Sequence, residues 1–275
     1  MAGELQRIDV YCDTVPRTSA ATEQIGPFTL FVGQSGRSFY ARPTARPTVG
    51  PTAPLWTPPT GKDFHRVLAR QRVLHQPQAF EWIHEVHPEL AATARSAGLA
   101  VQLLPLMMLR RESPAGIPPG YSVRILPADD PALPSALAAI GLSFGTPGTG
   151  MGAVGSAERD AATAPDQRHE SVRADIRDGL FVVAIAEDET GPISGGGHSP
   201  RGAVTEITGV GTLPAHRRRG LGAAVTHALT ADAAAHWVDL CFLTAGSTDI
   251  AGVYAGVGFV RIVTSCIAEP AEHAE

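Results

Sequence analysis

The alternation of apolar and polar positions is clearest near residue 210, where a predicted strand passes directly into a predicted helix. Residues 204–213 place four apolar side chains among threonines and glycines: Val204, Ile207, Val210 and Leu213. Pro214 ends this strand, because proline has no amide hydrogen to donate to a sheet. The alanine- and leucine-rich segment 220–235 then predicts a helix. A short basic turn joins the two elements.

This turn carries the most distinctive chemistry of the chain. It contains Arg217, Arg218 and Arg219, and Gly220 and Gly222 follow at the start of the helix. The first turn of a helix has unpaired amides and the positive end of the helix dipole. Glycine lets a phosphate approach those amides closely. The pattern therefore predicts a turn that binds a diphosphate; a solvated basic turn is the alternative.

Further elements are predicted on both sides of the turn. The strands are 121–126, 180–187, 193–198, 238–244 and 259–267, and the helices are 134–142, 170–178 and 249–255. Residues 144–155 are nearly all glycine, threonine, proline and other small residues, which disfavours regular structure. Together with the residues up to 167 they predict a loop, either a lid over a site or a surface loop.

The first 112 residues predict a smaller α+β domain. A hairpin is predicted over 25–41 with its turn at 33–36, followed by a loop rich in proline and threonine. The remaining elements are helix 63–74, strand 80–86, helix 89–97 and strand 99–109. The predicted domain organisation is 1–112, a linker at 113–120, a second domain at 121–268 and a tail at 269–275.

The strand, the Arg217-x-x-Gly220-x-Gly222 turn and the helix together resemble the acyl-CoA motif of the GNAT superfamily of N-acetyltransferases. Tyr254-x-x-x-Gly258-Phe259 is similar to a second motif of that family, in the expected order. The resemblance covers about 119–267. It implies an α+β fold with a mixed, mostly antiparallel sheet flanked by helices, preceded by the smaller domain. A degenerate GNAT-like half is one interpretation of residues 1–112.

The resemblance also implies acetyl-CoA as the cosubstrate. The main chain of Val210, Gly211 and Thr212 would hold the pantetheine arm, and Gly209 with Gly211 would suit a bulge that separates this strand from the next. The residues implied for the diphosphate are Arg217, Arg218, Arg219, Gly220, Leu221 and Gly222.

Two side chains are implied for proton transfer. Tyr254 would act as the acid toward the departing thiolate, with packing of the helix on the sheet as the alternative. Glu206 is the candidate base, with ordered water and His198 as the other candidates. Ser247 is included among the implied cofactor-binding residues, but the family often has an asparagine at this position, which weakens the case for a side-chain contact to pantetheine.

Composition indicates which partners, cellular compartment and metal sites to expect. The net charge of −5 gives no reason to expect nucleic-acid binding. The three cysteines are few and unclustered, which favours a reducing, cytoplasmic setting and argues against a metal site. No membrane segment is predicted, a homodimer is possible, and the high alanine, arginine, glycine and proline content suggests a bacterial source.

The resemblance thus implies an N-acetyltransferase that acts on an amine of a small molecule or a peptide. A regulatory module that binds acyl-CoA without transferring its acyl group is the alternative. Other motifs fail: Gly209-Val-Gly211 lacks the third glycine of a dinucleotide-binding turn, and the chain has no P-loop. His84 and His87 do not have the spacing of a zinc protease.

Overall fold

The computed structural model describes residues 2–33, 38–44, 58–111, 113, 116–146, 148–163 and 167–271. The chain divides into two compact units, Met1–Leu104 with Val263–Glu275, and Pro105–Ile262. This division runs through the strands Leu99–Leu109 and Phe259–Pro270 rather than through segment 113–120. The functional domains 1–112 and 121–268, with the linker and the tail 269–275, remain predictions.

The first unit combines helices with short strands. Its elements are α1 (Ala2–Arg17), β1 (Ala20–Ile25), β2 (Phe28–Gly33), β3 (Arg42–Pro43), α2 (Gly61–Val73), β4 (Phe80–Ile83), α3 (Leu90–Ser96) and the first part of β5 (Leu99–Leu109). Strands β1, β2 and β3 form an antiparallel sheet. Phe28, Phe64 and Phe80 pack against one another with ring centroids 4.8–5.2 Å apart, which places an aromatic cluster in the core of this unit.

The predicted hairpin of the first unit was wrong in its pairing. Strand β2 pairs with β1, which precedes it, and residues 38–40 form no strand. Gly26 adopts φ 58° in the tight turn between β1 and β2, a conformation that glycine accepts without strain. Helix α1, which the sequence pattern did not predict, precedes this hairpin. The predicted turn residues 34–36 and most of the loop at 42–61 lie outside the described residues.

The second unit contains the elements around the basic turn. They are β6 (Ser122–Ile125), α4 (Leu133–Ser143), α5 (Ser156–Ala162), α6 (Gln167–Arg177), β7 (Val182–Asp188), β8 (Gly191–His198), β9 (Val204–Thr212), a 3-10 turn (Pro214–His216), α7 (Leu221–Ala235), β10 (Leu240–Thr244), α8 (Thr248–Val257) and the first part of β11 (Phe259–Pro270). Within 167–271, the predicted strands and helices of this region are all present with shifted ends.

The sheet of the second unit is mixed and mostly antiparallel, as the sequence predicted. The order β6-β7-β8-β9 is antiparallel throughout, whereas β10 lies parallel to β9 and antiparallel to β5. Leu133 and Ala136 of α4 pack with Val183 and Ile185 of β7 on one face. Helix α7 packs on the other face, in the cluster that contains Ala184, Ala186, Ile207, Leu221 and Val225. The fold is therefore α+β, with helices on both faces.

Within the described ranges, no helix combines the length and the apolar character needed to cross a bilayer. The same residues contain no group of three or more His, Cys, Asp or Glu side chains placed to hold a metal ion.

Candidate active site

Strand β9 carries a bulge at its glycine-rich end. Two of its residues, Gly209 and Val210, lie opposite the single residue Gly196 of β8. Gly209 has φ 64°, in the left-handed region that glycine adopts readily. Gly211 also has no room for a side chain, because a Cβ there would lie 1.8 Å from Ser143 Oγ. The bulge predicted from the glycines of this strand is thus confirmed.

The parallel pairing of β9 with β10 stops before the bulge. The ladder runs from Val204–Leu240 to Glu206–Phe242, although β9 itself continues to Thr212. Backbone groups of β9 beyond Glu206 therefore have no ladder partner on β10. This separation of the two strands leaves main-chain groups near the end of β9 available to a ligand.

Helix α7 begins with an open N-terminus. Its N-cap is Gly220, in the left-handed conformation with φ 82°, and it has no side-chain cap and no acidic residue in its first turn. The preceding Arg218 is also left-handed, with φ 62°, which is uncommon for a residue with a side chain. Backbone strain of this kind, where it is observed, clusters at ligand-binding sites.

A cleft of about 580 Å³ joins the end of β9 to the start of α7. Three segments form its walls: the end of α4 with the residues after it, the stretch from Val210 to Ala223, and the part of α8 from Asp249 to Tyr254. The predicted site residues on these walls are Val210, Gly211, Thr212, Arg217, Arg218, Gly220, Leu221, Gly222 and Tyr254. The cleft therefore unites most of the residues implied by the two sequence motifs.

The three arginines of the turn have different surroundings. Arg217 is buried, with only 8% of its surface exposed, and its guanidinium donates to backbone carbonyls. Arg218 is exposed on the cleft wall. Arg219 is exposed and donates from Nη1 to the hydroxyl of Tyr121 at 2.6 Å, outside the cleft lining. His216 also lines the cleft; burial and the nearby charge of Arg219 lower its pKa, which favours the neutral imidazole.

Residues 154–259 match the sequence model of the acetyltransferase (GNAT) family. The second unit contains a GNAT acetyltransferase domain. Together the family match and the fold support transfer of an acetyl group in general, with acetyl-CoA as the donor that GNAT proteins use. No curated protein matches the sequence significantly.

Solved structures extend the likeness of fold to the whole chain. A GCN5-related N-acetyltransferase from Kribbella flavida is 18% identical, with 98% of this chain and 97% of that chain covered and a TM-score of 0.67. A tandem GNAT protein from the clavulanic acid biosynthesis pathway is 15% identical, with coverage of 98% and 94% and a TM-score of 0.55. The match in fold to the tandem GNAT protein covers the first unit as well as the second. This agrees with the interpretation of residues 1–112 as a degenerate GNAT-like half.

Tyr254 of the GNAT domain lies on the α8 side of the cleft. It is 9% exposed, and its ring packs edge-on against Phe259 with centroids 6.1 Å apart. Burial raises the pKa of its phenol to about 12. The hydroxyl therefore keeps its proton across the physiological range and can donate it.

Glu206 lies outside the cleft lining. Its neighbours Thr205 and Ile207 face α7, because Thr205 is linked through His198 to Asp232 of α7 and Ile207 packs in the α7 cluster. Since side chains alternate along a strand, half-buried Glu206 faces the α4 side of the sheet. The structure thus places the candidate base on the other face of the strand from Val210.

The other predicted residues have local structural roles. Ser247 caps α8, with its Oγ accepting the amide of Ile250 at 3.2 Å, and it lies outside the cleft lining. His198 is buried, with Nδ1 3.0 Å from Thr205 Oγ1 and Nε2 3.0 Å from Asp232 Oδ2. Burial lowers the pKa of His198, although Asp232 opposes the shift. Its place beneath α7, outside the cleft lining, does not support a role as base.

Several cleft residues were not predicted from the sequence. Phe144 at the end of α4 is 62% exposed, and Asp249, Ile250 and Val253 present one face of α8 to the cleft. Residues three or four positions apart share one face of a helix, as Ile250 and Tyr254 do in α8. With Tyr254 already a candidate, this spacing could have identified its neighbours on the same face. Phe144 had no signal beyond being a large apolar residue beside a glycine-rich segment.

Proposed function

We propose that this protein is an acyl-CoA-dependent N-acetyltransferase that moves an acetyl group from acetyl-CoA directly to an amine of a small molecule or peptide. The observation that carries the proposal is the uncapped N-terminus of α7, which opens on the cleft beside the separated end of β9 in a GNAT domain. A binding module without transferase activity would have the same donor site, so acyl transfer itself is what the experiment must detect.

The residues present fit a diphosphate. The first-turn amides of α7 and its dipole attract an anion, and no carboxylate in that turn competes with it. Arg218 adds an exposed cation on the cleft wall. A Cβ added to Gly222 would lie in ordinary contact 3.8 Å from Thr212 Oγ1 and 3.9 Å from Val210 Cγ1, so a larger side chain at this position would cover the surface between α7 and the end of β9. The main chain of β9 from Val210 to Thr212 would hold the pantetheine arm.

A bound thioester would supply an activated acyl carbon that an amine can attack directly. The chain itself would contribute orientation, because fixing both reactants removes the entropy loss of a bimolecular encounter. Tyr254 would donate a proton to the departing sulfur. Because Glu206 does not line the cleft, we propose that it accepts the amine proton through water and not by direct contact, with ordered water alone as the other candidate.

Replacement of Tyr254 by phenylalanine tests the proposed acid. We expect Tyr254→Phe to lower kcat by about 100-fold or more, as for loss of a general acid, and to leave the donor Kd within about twofold because the ring packing is kept. Since the phenol pKa is raised to about 12, wild-type kcat should show no loss from Tyr254 deprotonation up to pH 10. An unchanged kcat in Tyr254→Phe rules out the acid role.

The proposed function as a whole is tested by calorimetry with acetyl-CoA, followed by thiol release with a panel of small-molecule and peptide amines. Gly222→Leu extends a side chain into the cleft and should abolish donor binding without loss of the folded state by circular dichroism. Release of CoA that depends on an added amine supports the transferase. Tight donor binding without release by any amine favours the binding module, and intact binding by Gly222→Leu removes the proposed donor site.

A further inference from the structure

Arg217 uses its guanidinium within the protein. Its Nη2 donates to the carbonyls of Ser143 at 2.6 Å and Thr146 at 2.8 Å, and its Nη1 donates to Gly150 at 2.9 Å. Its Nε donates to the carbonyl of Thr212 at 3.3 Å. A guanidinium has five N–H groups, so these bonds leave at most one donor for a ligand.

The segment that receives these bonds is also docked elsewhere on the same turn. The amide of Gly152 donates to the carbonyl of Pro214 at 3.1 Å, and the amide of Ala215 donates to the carbonyl of Val154 at 3.0 Å. A Cβ on Gly152 would lie 3.0 Å from Pro214 Cβ, so the two backbones approach closely. The described residues of 143–154, most of which fall in the loop or lid predicted over 144–167, are therefore held against the basic turn at positions 143, 146, 150, 152 and 154.

We infer that Arg217 is a positioning residue, which fixes the residues after α4 as one wall of the donor cleft and does not itself bind the diphosphate. Ser143, Phe144 and Thr146 of that wall line the cleft, and two of them are held directly by Arg217 through their carbonyls. The anion contact in the turn then belongs to the α7 amides and to Arg218. This inference rests on the proposed function for the identity of the ligand, but the bracing itself does not depend on it.

Lysine cannot replace this brace. It keeps the charge, yet its three donors radiate from one nitrogen and cannot reach four carbonyls that a planar fork spans. A direct phosphate ligand would behave differently, because lysine also binds phosphate as a point charge. Arg217→Lys therefore separates the two roles.

Arg159 provides a matched control. It is 1% exposed and also donates to two carbonyls, of Pro192 and Thr190, but it lies outside the cleft lining.

The experiment measures CoA binding by calorimetry, steady-state kinetics, and hydrogen exchange of peptides covering 143–155. For Arg217→Lys we expect the donor Kd and KM to rise at least about tenfold, kcat at saturating donor to fall less than about threefold, and exchange in 143–155 to accelerate. We expect Arg159→Lys and Arg217→Lys to lower the Tm by similar amounts. Only Arg159→Lys should leave the donor Kd within about twofold of wild type.

Gly152→Val tests the same inference independently, since it pushes the segment away from Pro214 without replacing Arg217 or any residue that lines the cleft. It should reproduce the rise in donor Kd and the faster exchange, and it decides the matter if Arg217→Lys does not fold. The inference is overturned if 143–155 exchanges at the wild-type rate in both variants, or if binding survives in both. If the wild-type protein binds no CoA, the proposed function fails, and the exchange data alone still decide whether Arg217 braces the segment.

Discussion

Helices α2 and α7 lie in different compact units, and both begin with amides that no carbonyl of the same helix can accept. In α2 the chain supplies the partner: Asp63 Oδ2 accepts the amide of Thr60 at 2.9 Å and its hydroxyl at 2.7 Å. In α7 the N-cap is Gly220, no side chain caps it, and the first turn contains no acid.

A third helix shows that glycine alone does not explain the difference. Helix α5 also has a glycine N-cap, Gly155, yet Glu158 reaches back and accepts the Gly155 amide at 2.8 Å. The position that is acidic in α2 and α5 is Ala223 in α7. In α2 and α5 a carboxylate at the third helical position accepts the amide of the N-cap residue, whereas α7 has no acidic residue at that position and begins beside a cleft.

The largest effect is expected from closing α7 in the way that α2 is closed. Ala223→Glu places a carboxylate at the third helical position, where it can accept the amides that we assign to the diphosphate. We expect the donor Kd to rise more than about 100-fold, because an internal anion occupies the site and repels the ligand. The free energy of unfolding should rise by about 0.5–1 kcal/mol. Calorimetry with CoA and chemical denaturation measure the two effects.

Ala231→Glu is the matched control, because it introduces the same charge on an exposed position of the same helix, away from the cleft. Its donor Kd should stay within about twofold of wild type. Ala223→Glu that still binds CoA like wild type would show that the α7 N-terminus does not hold the anion.

The same comparison shows what sequence reasoning can reach. The strand, the turn and the start of α7 were predicted because their signals are local: Pro214 ends a strand and glycines begin a helix. Helix α5 was missed inside the predicted loop at 144–167, although Glu158, three residues after Gly155, stands where a capping box has its acidic residue.

The surroundings of the site residues were harder to predict. Three of the four carbonyls that accept from Arg217 lie 67–74 residues earlier in the chain, and a sequence pattern does not show which backbone carbonyls a side chain will contact. Regular alternation would place Glu206 and Val210 on the same face, but the bulge at Gly209 and Val210 shifts the register between them. The glycines of β9 were enough to predict a bulge. Which face of the strand Glu206 occupies relative to Val210 could be decided only from the pairing of Gly209 and Val210 with Gly196.

A smaller effect is expected from the strained arginine of the α7 turn. Arg218→Gly removes one exposed cation and should raise the donor Kd by about three- to tenfold, with the difference shrinking at high salt. Because φ 62° costs an ordinary residue about 1 kcal/mol, the glycine should raise the free energy of unfolding by up to about that amount. Arg218→Ala is the control: it should lose the same affinity without gaining stability. Equal stability of the two variants would argue against strain at this position.

The smallest effect is expected from removing the carboxylate that caps α2. Asp63→Ala should lower the free energy of unfolding by about 1 kcal/mol, as for loss of a helix cap, and leave the donor Kd unchanged.

The stabilisation by Asp63 should also depend on pH. Burial alone would raise the pKa of Asp63, but hydrogen bonds from the Thr60 hydroxyl and amide, together with the charge of Arg66, outweigh it and lower the pKa. The stabilisation is therefore present above the unfolded-state pKa and is lost as the pH falls through the lower folded-state value. Denaturation of wild type and Asp63→Ala should accordingly differ at pH 7 and converge once the pH has fallen below the lowered folded-state pKa of Asp63. A difference that persists in acid would mean that Asp63 acts through packing instead of its charge.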